Sequence, residues 1–262
     1  SSSTKQENGQ VVDWMGWEFA ATVRPSTGLA VMDVRFKGQR VAYEIALAEA
    51  VALYSGTEKD QVFYLDSGYS LTQLTGDVVV GVDCPSHSQF LEYPSWVWID
   101  KTTFDWKSDP GRASPLKGAC IFEDELGETL WRHTQSVPGF VADGVPAKNL
   151  VVRAVTAVGN YDYVTQLAFR QDGSVEVSLK FAGYMETRYF SPKTTPYETV
   201  LSEIVHTNLA APIHSHFAAF KLDLDVVGTS NSFEKSVVDA GFGPLLGNGD
   251  GGGGPTNNDT EK

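Results

Sequence analysis

Positive charge is scarce in this sequence: 20 Lys and Arg stand against 33 Asp and Glu, for a formal net charge of -13 over 262 residues. Nucleic acids and acidic membrane surfaces need clustered basic side chains, so both partner classes are disfavoured. A negative field draws cationic ligands, and it serves solubility equally well. No run of 18 or more apolar residues occurs, so nothing here reads as a membrane-spanning helix. The opening SSSTKQENGQ lacks the apolar stretch of a secretory signal. There is no G-x-S-x-G elbow, no phosphate-cradling glycine loop and no H-E-x-x-H helix. Cysteine is limited to Cys84 and Cys120, with no C-x-x-C pair. They permit one disulfide or two buried thiols, and spacing alone leaves both open.

Hydrophobic residues make up 42% of the chain, enough for a sizeable core. Glycine and proline are spread along it, which favours many short strands over long helices. Residues 1–12 are polar and read as a loose segment. Trp17 to Val23 and Leu29 to Phe36 read as a hairpin around Pro25-Ser26-Thr27-Gly28. RVAYEIALAEAVALY (40–54) has helix-forming composition in a strand-rich context, and its periodicity does not decide between them. Residues 84–118 read as long surface connections. Further on, LVVRAVTAV (150–158), Tyr161 to Arg170 and Val175 to Phe181 read as strands, the last two joined by the turn Gln171-Asp172-Gly173-Ser174. Ile213 to Val227 is another long strand. The stretch 247–262, GNGDGGGGPTNNDTEK, is too poor in apolar residues to order itself. The expected fold is all-β, an antiparallel β-sandwich built from residues 13–246.

Four short segments carry groups capable of chemistry. In His214-Ser215-His216, residues i and i+2 of a strand face the same way, about 6.6 Å apart. Two imidazoles so placed can chelate copper or zinc, although an isolated H-x-H is more often an ordinary half-buried face. On the same strand, unbroken alternation puts His214, His216, Phe220, Leu222 and Leu224 on one face. Asp223 and Asp225 then share the other, a carboxylate pair suited to a hard cation or to solvent. Asn160-Tyr161-Asp162-Tyr163 follows an apolar strand, and nothing in the tetrapeptide by itself distinguishes Tyr161 from a core tyrosine. Asp66, in Tyr64-Leu65-Asp66-Ser67-Gly68-Tyr69, is either a turn residue or a buried carboxylate base with a raised pKa.

Taken together and in order, these segments resemble the animal-type copper amine oxidases. LVVRAVTAVGNYDYVTQLAFRQDGSVEV is similar to the family's cofactor strand, and APIHSHFAAFKLDLDVVGTSN to its copper-binding strand. RVAYEIALAEAVALY, YLDSGY, GVDCP and CIFEDELGETLWRHT follow in the family's order, from about Trp17 to about Ser232. The resemblance implies that Tyr161 is the precursor of topaquinone, formed with copper and dioxygen. It implies that His214 and His216 are two of three copper ligands, and that Asp66 is the catalytic base. Tyr54 would hydrogen-bond the quinone, Asn160 and Asp162 would flank the cofactor, and Cys84 and Cys120 would form a disulfide. Asp223, the Leu224 carbonyl and Asp225 would supply part of a calcium site. The implied reaction is oxidative deamination of a primary amine by dioxygen, giving aldehyde, ammonia and hydrogen peroxide, in a homodimeric, extracellular protein.

The sequence also departs from the family pattern. The family's third copper histidine and later calcium ligands lie well downstream of the H-x-H strand, and its smaller domains lie upstream. His206 is the nearby alternative for a third ligand. Where the family has Trp or Leu-Gly after YLD-x-G, this sequence has Tyr69-Ser70-Leu71-Thr72, which bears on the substrate channel. Three readings stay open: a segment of a full oxidase, a shortened inactive relative with a binding or structural role, and a chain whose copper site a second chain completes.

Overall fold

A computed structural model of the chain describes residues 2–6, 9–24, 26–56, 62–69, 71–72, 76–93, 96–99, 106–108, 116–134, 143–191, 201–232 and 235. The chain divides into two units, Ser1–Asn231 and Ser232–Lys262, and every strand described belongs to the first. The expected tail over 247–262 lies outside the described residues.

Alternating apolar and polar positions produce strands that bury one face. Seven of them form one sheet: β1 (Ser2–Gln6), β2 (Gly9–Trp14), β3 (Trp17–Arg24), β4 (Gly28–Phe36), β5 (Gln39–Tyr54), β6 (Val62–Leu65) and β17 (His214–Leu224). Their order is β1-β2-β3-β4-β5-β17, with β6 also pairing with β5. A second, five-stranded sheet runs β13-β12-β11-β10-β7. Its strands are β7 (Gln89–Tyr93), β10 (Leu116–His133), β11 (Asp143–Val158), β12 (Tyr161–Arg170) and β13 (Val175–Gly183). β14 (Arg188–Tyr189), β15 (Ser202–His206) and β16 (Leu209–Pro212) form a small third sheet, and β8 (Trp96–Ile99) pairs with β9 (Trp106–Ser108). Every pairing between these strands is antiparallel.

The two large sheets share a core of Trp17, Phe19, Leu29 and Val31 from one side and Leu150, Val152, Leu167 and Phe169 from the other. Phe19 stacks on Phe169 with ring centroids 4.2 Å apart. The Trp17 indole N–H is satisfied by the Arg170 carbonyl at 2.7 Å. Each such side chain, fully buried, contributes roughly 1.5–3 kcal/mol. The turn after β12 forms where expected. Asp172 accepts from the Ser174 amide at 2.9 Å and its hydroxyl at 2.7 Å, and Gly173 takes φ of +95°.

Several expectations are resolved or corrected. The ambiguous 40–54 segment is strand, because β4 and β17 flank it and both faces of β5 carry buried residues. Residues 1–12 do not stay loose: β1 and β2 extend the sheet, with Val12 and Trp14 buried. The 84–118 stretch contains β7, β8 and β9 as well as the start of β10. β7 belongs to the second sheet because Leu91 enters the main core while Phe90 packs beside Cys84 and Cys120. Those two cysteines form a disulfide closing 36 residues, which stabilises the fold by about 3–4 kcal/mol in the chain-entropy view.

Candidate active site

β17 hydrogen-bonds along β5 so that His214 pairs with Tyr54 and His216 with Ala52. In the facing sheet, β12 begins at Tyr161 and buries Tyr163 two residues later. The i and i+2 pairs of two strands therefore meet between the sheets. The Tyr161 hydroxyl lies 2.9 Å from His214 Nε2, and the Tyr163 hydroxyl 3.0 Å from His216 Nδ1. The two imidazole centroids are 5.0 Å apart.

The hydrogen bonds fix both ring tautomers. His214 Nδ1 sits 2.8 Å from the Pro212 carbonyl, so it carries the proton. Its Nε2 lone pair then accepts from Tyr161. The Tyr163 hydroxyl donates to Asp66 Oδ2 at 3.0 Å, so it accepts from His216 Nδ1–H. His216 Nε2 is left with its lone pair, buried and without a hydrogen-bond partner. Both histidines thus present Nε2 lone pairs and anchor Nδ1–H on oxygen, the arrangement metal-ligating histidines adopt.

Tyr54, Asp66 and Tyr163 complete the cluster. The Tyr54 ring stacks on His214 at 4.5 Å, and burial foremost, then hydrogen bonding to Tyr161, pushes its hydroxyl pKa well up. Asp66 opens a 3-10 turn, Asp66–Tyr69, directly after β6. Its burial raises the carboxyl pKa; the Tyr163 hydrogen bond works against this, and the charge of Glu49 adds to it. Tyr163 is also pushed up, by burial first and then by the Asp66 charge. Asn160 lies in the turn between β11 and β12, with its carbonyl accepting from the Tyr184 amide at 3.0 Å. Asp162 stands half-buried beside Tyr161, paired with Ala157 and Ala182.

The family model described as "Copper amine oxidase, enzyme domain" matches residues 5–249. The chain belongs to the copper amine oxidase family. It is 36% identical over 231 residues to the copper-containing diamine oxidase of Homo sapiens, covering 86% of this chain and 29% of that protein. It is 33% identical over 219 residues to the liver isozyme of primary amine oxidase from Bos taurus, covering 82% and 27%. The solved Aspergillus nidulans amine oxidase superposes with a TM-score of 0.68 at 29% identity, over 83% of this chain and 27% of that one. The chain therefore spans under a third of the length of these relatives.

Copper fits this pair of histidines: a buried, unpartnered Nε2 lies beside a second Nε2 lone pair, and imidazole suits the metal. Among the described residues, no group of three or more His, Cys, Asp or Glu could hold a metal ion. His206 stands exposed on β15 and does not join the pair. The residues named for calcium are engaged within the chain. Asp225 is buried against Arg40 Nε at 2.6 Å, Asp223 faces Lys221 at 3.9 Å, and the Leu224 carbonyl accepts from Asn231 at 2.6 Å. Arg40 already pairs with Asp225, and among the described residues no group of three or more His, Cys, Asp or Glu gathers there, so nothing among them shows a calcium site. Of the residues expected on one face of β17, the histidines and Phe220 are partly buried, while Leu222 and Leu224 remain 53% and 48% exposed.

Two residues that organise this cluster have no role legible in the sequence. Tyr163 joins Asp66 to His216, and Glu49 holds the turn that carries Asp66. Their partners lie 97, 53 and 18 residues away along the chain, so no short motif marks them.

Proposed function

We propose that this chain carries the cofactor-forming tyrosine, the base and two copper ligands of a primary-amine oxidase. The observation that carries the reading is the Tyr161 hydroxyl 2.9 Å from His214 Nε2, next to the orphaned His216 Nε2. His214 and His216 would hold copper, and Tyr161 would become topaquinone. Bound copper and quinone would supply the redox chemistry that turns a primary amine, dioxygen and water into aldehyde, ammonia and hydrogen peroxide.

The chain's own residues have definite tasks in this reading. Asp66, its pKa raised by burial, takes a proton from the substrate carbon next to nitrogen; a carboxyl pKa closer to neutral suits that role. Tyr163 fixes the Asp66 carboxylate by donating to Oδ2. Tyr54 holds the ring oxygen of residue 161 and covers His214. A third copper ligand would come from outside the described residues or from a second chain, since none among them joins the two histidines. The homodimer and the extracellular location implied by the resemblance belong to this same reading, and the disulfide fits an oxidising compartment.

The test is conversion of Tyr161. Copper is added to the chain under oxygen, and the Tyr161 peptide is analysed by mass spectrometry with a quinone redox stain. Quinone at Tyr161, absent in Tyr161→Phe, is the expected result. Unmodified Tyr161 at full copper occupancy would show that residues 1–262 do not build the cofactor on their own.

A further inference from the structure

β5 carries a bulge directly before the candidate site. Ala219 of β17 pairs with Glu49, but the next residue, Phe220, pairs with Leu47, so Ala48 is left over. Bulges re-aim side chains, and they concentrate next to active sites. Here the neighbouring side chain is Glu49. Its Oε1 accepts from the Ser67 amide at 2.9 Å and from the Ala50 amide at 2.9 Å, and its Oε2 accepts from the Ser67 hydroxyl. One half-buried carboxylate therefore holds the residue immediately after Asp66 by both backbone and side chain.

We propose that Glu49 is a positioning residue for Asp66: the bulge aims it at the short turn and fixes the angle at which Asp66 meets Tyr163 and the substrate. A four-residue 3-10 turn has little hydrogen bonding of its own to resist rotation. The Glu49 hook supplies an anchor on one side and Tyr163 supplies one on the other. Glu49 contacts neither histidine in the hydrogen bonds of this site, so its effect on chemistry passes through Asp66. Among the described residues, the titratable groups that shift Asp66 are Tyr163 from β12 and Glu49 from β5. This inference rests on the reading of Asp66 as the base.

The test compares Glu49→Ala with Glu49→Gln in the copper-loaded chain. Amide hydrogen exchange over Val62–Tyr69 is measured alongside turnover and its pH profile. Glu49→Ala should speed exchange at the Ser67 amide at least about tenfold. It should lower kcat by about 10- to 100-fold while copper and quinone content stay unchanged, since small misplacements of a catalytic group cost that much. Glu49→Gln keeps an accepting oxygen and should retain most of kcat and of the Ser67 protection. Its acidic limb should move to lower pH, because removing the Glu49 charge makes Asp66 easier to ionise. Unchanged Ser67 exchange in Glu49→Ala, or a Glu49→Gln variant as impaired as the alanine, overturns the proposal. Failure of the underlying reading gives a different signature: Asp66→Asn would remain active while Ser67 exchange still responded to Glu49→Ala.

Discussion

At the scale of single residues, the cluster sets stability against chemistry. Asp66 is buried, and its folded-state pKa lies above the ordinary value of 3.8. A raised carboxyl pKa means that the native state prefers the protonated form. Its contribution to stability is full below the unfolded pKa and is lost as pH rises through the folded pKa. Asp66→Asn has no such charge to bury. It should therefore melt higher than the wild type at pH 7, with the gap closing as pH falls below about 4, while losing about 100- to 10,000-fold in turnover. Melting curves across pH read the first effect and steady-state rates the second. A gap that widened toward acid would contradict the assigned shift. The residues around Asp66 left a turn residue and a buried carboxylate both open, and Asp66 is in fact buried within a turn; the place of Tyr163 was not legible at all. Its role depends on a hydroxyl that joins β12 to the turn after β6 and to β17, and nothing in the tetrapeptide Asn160-Tyr161-Asp162-Tyr163 shows which partner each tyrosine meets.

At the scale of elements, the strands that carry the site were legible because their patterns are strong. β12, its turn and β13 follow from β-branched runs and Asp172-Gly173. β5 was ambiguous because Ala, Leu and Glu favour helix, and only its position between β4 and β17 decides the matter. β2 and β7 were missed because each is short and sets its buried residues, Val12 and Trp14 in one and Leu91 in the other, beside polar neighbours; the sequence of β1, SSTKQ, has no apolar residue to mark it. One glycine exposes the tolerance of β12 where it carries Tyr161. Gly183 pairs with Tyr161 at a φ of +96°, and a Cβ there would lie 2.3 Å from the Asn160 carbonyl oxygen and 2.8 Å from Tyr161 Cα. Neither atom belongs to a flexible side chain, so the backbone itself must shift. Gly183→Ala should destabilise by about 1–3 kcal/mol in denaturant titration. It should also displace Tyr161 from His214 and, on the proposed function, slow the conversion of Tyr161 to quinone. Gly38 also has positive φ, but no atom lies within 4 Å of a Cβ built there; Gly38→Ala should cost stability without touching Tyr161 conversion.

At the scale of the whole molecule, the site lies where the packing between the sheets changes character. Along most of their length Trp17, Phe19, Leu150 and Phe169 hold the two sheets together. Where β12 and β17 begin, the seam is instead Tyr161 to His214, Tyr163 to His216, and Phe181 against His216 at 4.9 Å. Strand alternation identified the two histidines as one face, but it could not say that Tyr161 of the other sheet would meet them. That juxtaposition depends on which strands share a sheet. A metal bound to both histidines would find its site only in the folded sandwich, so it should stabilise the native state by mass action. Free copper at 100 times its Kd contributes about 2.7 kcal/mol, which for a unit of this size raises Tm by roughly 5–10 °C. The rise should reverse on chelation and vanish in His216→Ala, each protein being compared with its own metal-free melting point. His206→Ala should keep the full rise, because His206 stands exposed on β15 apart from the pair. An equal copper-dependent rise in His216→Ala would place the metal elsewhere and remove the basis for assigning His214 and His216 as its ligands.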